Sequence, residues 1–303
     1  MRNYSAYLLA IIGASFWGLT GIFVKSLYNH GFTAWEIVAI RLTCSTLILV
    51  ILLSLFAPRY LKVNLKHLPY FFGLGVLGIV IFNWCYFTVM DQASLSIAVV
   101  LLYTSPIFVT ILSSILFKEK VTKRKVLSLC LILFGCALAI QLIPIGNTVL
   151  SFQVILLGLL SAFFCALYSI IGKFVSQHYN FLTITVYALM MGSLFIFPTS
   201  SVWKKADIIQ QGDVLNSIIG VSVISTIFAY LLYTFGLVSI ESSKAAILGA
   251  MEPIVAVLVG VLIFRDSLTL LQITGITLVI FSAFVTVFQR KRKTGNIGRQ
   301  FTN

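Results

Sequence analysis

Charged residues are spaced so unevenly along this chain that the gaps between them mark out its elements. Residues 3–24, 42–58, 67–90, 92–117, 174–203, 214–240 and 267–289 contain no Asp, Glu, Lys or Arg. Residues 126–172 form a longer uncharged stretch, divided in two by the turn-forming run Pro144-Ile145-Gly146-Asn147. After Lys244 the chain is again apolar through Phe264, save for Glu252. A helix that crosses a bilayer needs about 20 mostly apolar residues. The pattern therefore predicts ten: 5–27, 33–57, 67–88, 95–117, 124–142, 151–173, 181–199, 215–238, 244–264 and 269–288. They fill the chain, so no soluble domain is expected. The first is longer than the apolar core of a secretory leader, and no small-residue cleavage site precedes the second, so it reads as a retained span.

Composition sharpens this. Of 303 residues, 60% are apolar or aromatic and 10% are charged, where soluble globular domains carry about 25% charged residues. A cytosolic enzyme, a nucleic-acid-binding domain and a secreted disulfide scaffold are excluded. The net charge of +13 does not point to nucleic acid, because the basic residues sit in short loops and at the C-terminus. Ten spans place both termini on one side. Sixteen Lys and Arg then share that side, in 59–66, 118–125 and 290–299 above all, against Lys25, Lys204, Lys205 and Arg265 on the other. The positive-inside rule makes both termini cytoplasmic in a multi-pass protein of the cell membrane. Trp35 and Trp203 fall at the outer interface. The five cysteines lie in apolar segments without a C-x-x-C pair and read as small hydrophobes.

The two halves of the chain resemble each other. A shift of 147 carries Ser96, Ala98, Leu101, Pro106, Ile107, Phe117 and Thr122 onto Ser243, Ala245, Leu248, Pro253, Ile254, Phe264 and Thr269. It also carries Lys118-Glu119 onto Arg265-Asp266, Tyr86 onto Tyr233 and Gly73 onto Gly220, and a shift of 148 carries Phe16 onto Phe164 and Lys25 onto Lys173. Each half holds five spans, an odd number, so the halves must run in opposite senses through the membrane. Inverted repeats with a midplane site between them are characteristic of secondary transporters. The expected fold is an all-α integral membrane protein of ten transmembrane helices in two inverted five-helix repeats, 1–145 and 146–290, followed by a basic cytoplasmic tail, 291–303.

Trp17-Gly18 in the first span, Pro106 and Glu252-Pro253 in the fourth and ninth, and the span endings Phe117-Lys118-Glu119-Lys120-Val121-Thr122 and Phe264-Arg265-Asp266-Ser267-Leu268-Thr269 add to this pattern. With the five-plus-five repeat they resemble the EamA-type transporters of the drug/metabolite transporter superfamily. The resemblance covers essentially the whole chain. It implies an exporter of amino acids, other metabolites or toxic compounds, driven by an ion gradient.

Glu252 is the only acidic residue well inside a span. An ionised carboxylate there costs about 2.5–3.5 kcal/mol unless it meets a cavity or a cation. It reads either as a proton-coupling or substrate-ammonium site, or as a carboxylate satisfied by neighbouring polar groups. Pro253 removes a donor and crowds the preceding turn, which kinks the helix and frees the Gly249 carbonyl. Arg41 is the only deep basic residue. It lies roughly 9 Å below Trp35, and Glu252 roughly 12 Å from Lys244, at 1.5 Å per residue. In a core of about 30 Å their levels differ by roughly 9 Å. Arg41 reads as a substrate-carboxylate site, a structural counter-ion, or a side chain snorkelling to the surface. Trp17, Asn83, Trp84, Tyr86, Tyr103, Tyr168, Tyr230 and Tyr233 recur at mid-span and read as cavity lining or as packing aromatics. Asn83 and Tyr86 share a helix face, as do Tyr230 and Tyr233. Ala10, Ala14 and Gly18, and Gly73, Gly75 and Gly78, read as close-packing surfaces.

No phosphate-binding loop and no clustered His or Cys appears, so neither metal nor other cofactor is expected and ATP hydrolysis is excluded. The function expected is a secondary-active exporter, not an enzyme, working by alternating access. Its partners are a small-molecule substrate, the bilayer and protons as coupling ion, in a monomer or homodimer. The competing reading is a membrane enzyme or lipid-handling protein acting on a membrane-embedded substrate.

Overall fold

The computed structural model describes residues 4–93, 95–139, 151–264 and 269–287. The predicted turn at 144–147, the Arg265-Asp266 pair and the basic tail at 291–303 lie outside them. Among the described residues nine helices are long and apolar enough to cross a membrane. They are α1 (Tyr4–Asn29), α2 (Ala34–Phe56), α3 (Leu65–Met90), α4 (Ile97–Leu116), α6 (Phe152–Val175), α7 (Phe181–Thr199), α8 (Gly212–Ser239), α9 (Ser242–Ile263) and α10 (Leu270–Val287). Between α4 and α6 the segment Lys123–Ala139, here α5, is also helical over 17 residues. The chain is thus a multi-pass membrane protein. Its exposed side chains include Leu55, Phe56, Ile115, Phe134, Leu194, Leu262 and Phe284, as a lipid-facing surface requires.

Local chemistry sets where the helices begin and break. Thr33 and Glu36 form a reciprocal capping box that starts α2, while Ser151 and Asn180 cap α6 and α7 through their side chains. Three spans are interrupted: α1 turns briefly at Leu19, between Tyr4–Gly18 and Thr20–Asn29, and two others break at mid-span. α4 stops at Leu102 and restarts as Ser105–Leu116, and α9 stops at Gly249 and restarts as Met251–Phe264. Pro106 and Pro253 lie in the first turn of the restarted segments, where a missing N–H costs nothing. The expected proline kink is therefore a complete break. α3 and α8 widen into π-helix over Gly73–Ile81 and Val223–Phe228, and a shift of 147 lays the second of these on 76–81.

The main contacts run between the two halves of the chain. α1 packs on α8 and α9, α6 on α3 and α4, α2 on α7, and α5 on α10. Small residues allow the close approaches. A methyl group added at Gly13 would stand 2.6 Å from the Tyr233 amide nitrogen, and one added at Gly236 would stand 2.6 Å from the Ala10 Cβ. The Ala6, Ala10 and Ala14 stripe is fully buried in that seam. Gly75 meets the Gly192 backbone, and Gly78 meets Tyr168. α2 and α7 run antiparallel: Trp35 Nε1 donates to Thr199 Oγ1 at 3.3 Å, and Thr43 Oγ1 shares a proton with Ser193 Oγ at 2.9 Å. α5 and α10 are also antiparallel. Ser282 Oγ donates to the Ser128 carbonyl at 3.0 Å, Thr286 Oγ1 bonds Ser128 Oγ at 3.1 Å, and Gly135 and Ala139 lie against Gly275.

Candidate functional site

The two broken helices meet at their breaks. Ser105–Leu116 of α4 lies along Ser242–Gly249 of α9, at the end of the bundle that carries Lys118–Lys125. Beyond the breaks the helices part. Leu95–Leu102 leans on α3, α5 and α6, whereas Met251–Phe264 leans on α1, α5 and α10. Glu252 stands where they diverge. It occupies the first turn of Met251–Phe264, so the half-helix presents its positive end to the carboxylate. Tyr103, the residue after the first half of α4, donates its hydroxyl to Glu252 Oε2 at 3.3 Å. Glu252 is half-buried.

Several groups converge on this carboxylate. Tyr86, Tyr103, Cys136, Cys165 and Tyr230, contributed by α3, α4, α5, α6 and α8, lie near it. Arg41 on α2 lies in the neighbourhood of both Glu252 and Tyr230. Among the described residues Arg41 and Glu252 form no ion pair, and Arg41 Nε is buried without a hydrogen-bond partner. At the α4 break the residue equivalent to Glu252 is Ser105, which bonds Cys165. Two half-helix N-termini thus face the middle of the bundle, one bearing a carboxylate and the other a hydroxyl.

The remaining aromatic residues form a second group beside the first. Trp17 packs on Tyr230 and Tyr233 with ring centroids 5.1 and 4.9 Å apart, and Tyr230 meets Tyr168 at 5.3 Å. The Tyr168 hydroxyl bonds Thr234 Oγ1 at 2.8 Å, and that of Tyr233 bonds Ser169 Oγ at 3.2 Å. These two phenols are satisfied within the protein. So is Asn83, whose Nδ2 donates to the Ile79 carbonyl at 2.6 Å in its own helix. Trp84 is 49% exposed and points away from the centre. A cleft of about 700 Å³ near Trp35, Trp84 and Phe87 does not include Glu252 in its lining.

Sequence reasoning took Cys165 and Cys136 for small hydrophobes and did not place them near the site. A signal for one of them was present in the repeat, which aligns Cys165 with Trp17, as it aligns Ser105 with Glu252. Lys173, the repeat partner of Lys25, donates to the carbonyls of Leu237, Val238 and Ile240 at 3.1, 3.0 and 2.6 Å, capping the end of α8.

A bundle of broken, apolar helices with a half-buried carboxylate at one of the breaks has the build of a membrane transporter. The EamA-like transporter family model matches the chain twice, over residues 4–141 and 152–288, and the chain belongs to that family. It is 26% identical to an uncharacterized transporter of Archaeoglobus fulgidus over 94% of this chain and 99% of that protein. It is also 26% identical to the threonine/homoserine exporter RhtA of Salmonella typhimurium, covering 85% of this chain and 83% of RhtA. One solved crystal structure shares the fold with a TM-score of 0.77 at 15% identity, covering 93% of this chain and 96% of that one.

Proposed function

We propose that this protein is a secondary-active exporter of a small amino-acid-like metabolite, built as ten transmembrane helices in two inverted repeats, 1–145 and 146–290. The observation that carries this reading is Glu252. It sits at the N-terminus of a half-helix in the middle of the bundle, bonded to Tyr103, where α4 and α9 diverge. Secondary transporters place ion and substrate groups at such breaks, because the unwound backbone there lines a cavity rather than lipid. The twofold family match and the antiparallel pairing of α2 with α7 and α5 with α10 support the inverted repeat.

The chemistry of the site favours a zwitterion. Glu252 suits a substrate ammonium or a proton, while the unpartnered Arg41 Nε and the Ser105 half-helix end suit a carboxylate. A single carboxyl group can hold either a proton or a substrate ammonium, so Glu252 would alternate between the two. The basic end of the bundle, by its Lys and Arg, is assigned to the cytoplasm together with both termini and the 291–303 tail. The divergence of α4 and α9 then opens the site to the outside.

The test uses liposomes containing the purified protein, a pH gradient, and radiolabelled threonine and homoserine as probes. The wild type is expected to accumulate one of them. Glu252→Gln keeps shape and hydrogen-bonding capacity but cannot ionise, and is expected to fold yet lose gradient-driven uptake. Uptake by Glu252→Gln at the wild-type rate with an unchanged pH profile would make Glu252 a structural group.

A further inference from the structure

At the basic end of the bundle, four charged side chains tie three helices together. Lys118 adopts a left-handed backbone conformation, φ 54°, which turns the chain sharply after α4. Glu119 is thereby folded back over the start of α9. Its Oε1 accepts from the Ser242 amide at 2.7 Å and its Oε2 from the Ser243 hydroxyl, so it caps the N-terminus of α9. Lys125, at the start of α5 and 3% exposed, reaches Glu119 Oε2 at 3.3 Å and Glu241 Oε2 at 2.6 Å. Lys244 of α9 holds the other oxygen of Glu241 at 2.6 Å.

The far end has the matching positions but not the charges. A shift of 147 turns Glu119 into Asp266 and Ser243 into Ser96, so an acid and a serine recur. The ion-pair partners do not: Lys125 becomes Gln272, Glu241 becomes Ser94 and Lys244 becomes Ile97. At the end where α4 and α9 lie together, ion pairs join them to α5. At the end where they part, the repeat-equivalent positions cannot form these pairs. The ion pair described there, Lys205 with Glu36, joins α2 to the connection between α7 and α8.

We propose that Glu119, Lys125, Glu241 and Lys244 form a latch that holds the basic end shut. Alternating access, on which this rests, requires α4 and α9 to separate at that end, and separation pulls Glu119 off Ser242 and Ser243 and breaks the pair between Lys125 and Glu241. Buried charges that lose their partners are strongly disfavoured unless water reaches them. The latch therefore biases the resting protein towards the form closed at the basic end, a bias that two halves of identical chemistry would not possess.

The test measures spin-label distances in the full chain reconstituted in lipid, with the native cysteines replaced by serine. One pair, Val121→Cys with Ser239→Cys, reports on the basic end, and a second, Ala93→Cys with Leu262→Cys, on the far end. In the double variant Lys125→Gln/Glu241→Gln the open-to-closed ratio at the basic end is expected to rise about tenfold, the factor that about 1.4 kcal/mol sets. Glu241→Gln alone changes a half-exposed position with little risk to folding, and is expected to shift the ratio the same way by a smaller factor. Unchanged basic-end distances in both variants overturn the latch. Opening at the basic end with closure at the far end supports both the latch and alternating access. Opening at the basic end with no response at the far end keeps the latch and overturns alternating access.

Discussion

The breaks in α4 and α9 are the same backbone device with different chemistry. Each is a helix interrupted at mid-span and restarted with a proline in its first turn. At one the leading side chain is Ser105, bonded to the half-buried thiol of Cys165. At the other it is Glu252, bonded to Tyr103 and within reach of the Arg41 charge. The packing beneath them differs too: Gly18 of α1 lies under the α9 break, while its repeat-equivalent on α6 is the buried Ala166, against Val109 of α4. On the proposed reading, the shared backbone form lets the two halves exchange shapes, and the differing side chains make the Glu252 break the chemical site.

The strongest way to break this comparison is to move the acid. Glu252→Ser combined with Ser105→Glu preserves composition and both half-helix ends. Transport of the radiolabelled probe is expected to fall about 100-fold, as truncation at a buried charge site does, and to be no better than in Glu252→Ser alone. Recovery of half the wild-type rate by the double variant would show the breaks to be interchangeable.

A smaller effect tests the packing. A methyl group added at Gly18 would stand 2.5 Å from the Glu252 carbonyl oxygen and 2.7 Å from the Val255 Cβ. Overpacking of this kind costs about 1–3 kcal/mol. Gly18→Ala is expected to lower thermal stability in detergent, whereas Gly21→Ala, with nothing within 4 Å of the added carbon, is expected to leave it unchanged or slightly raised. Equal melting behaviour of the two variants would remove the packing difference from the account.

The smallest effect concerns pH at the latch. Burial alone would raise the pKa of Glu241, but hydrogen bonds and charge from Lys125 and Lys244 outweigh it and leave the group below its ordinary value. A carboxylate lowered on folding contributes stability that is complete above its unfolded pKa of about 4.3 and is lost as pH falls through the folded value. Melting of the wild type and of Glu241→Gln is therefore expected to run parallel from pH 8 to 5 and to converge only in stronger acid. Divergence between pH 5 and 8 would mean that the latch titrates near neutrality.

Much of the architecture was legible because membrane burial leaves a coarse mark. The charge-free runs locate the nine long helices and Lys123–Ala139, since lipid tolerates no other arrangement of backbone. The breaks were half-legible: Pro106 and Pro253 marked the places, but a proline is compatible with a kink as well as with a restart. At the site, Glu252 and Arg41 stood out because charge is rare in a span. Cys165 and Cys136 did not, because a thiol in an apolar run carries no sign of what it faces. Trp84 shows the converse. It adjoins Asn83 in sequence, yet a rotation of about 100° per residue turns it to the opposite face. The ion pairs of Lys125 and Lys244 were hidden behind their role as loop charges, because their partners are distant in sequence or half in water.

The α5–α10 seam has a further consequence. Ser128 against Ser282 is answered by Gly135 against Gly275, and Ser128 against Thr286 by Ala139 against Gly275. Under the shift of 147 each contact in these pairs maps onto the other with its partners exchanged. That is the definition of an isologous interface, the kind by which identical subunits recognise one another. The chain therefore carries, folded into a single polypeptide, the contact surface of a homodimer.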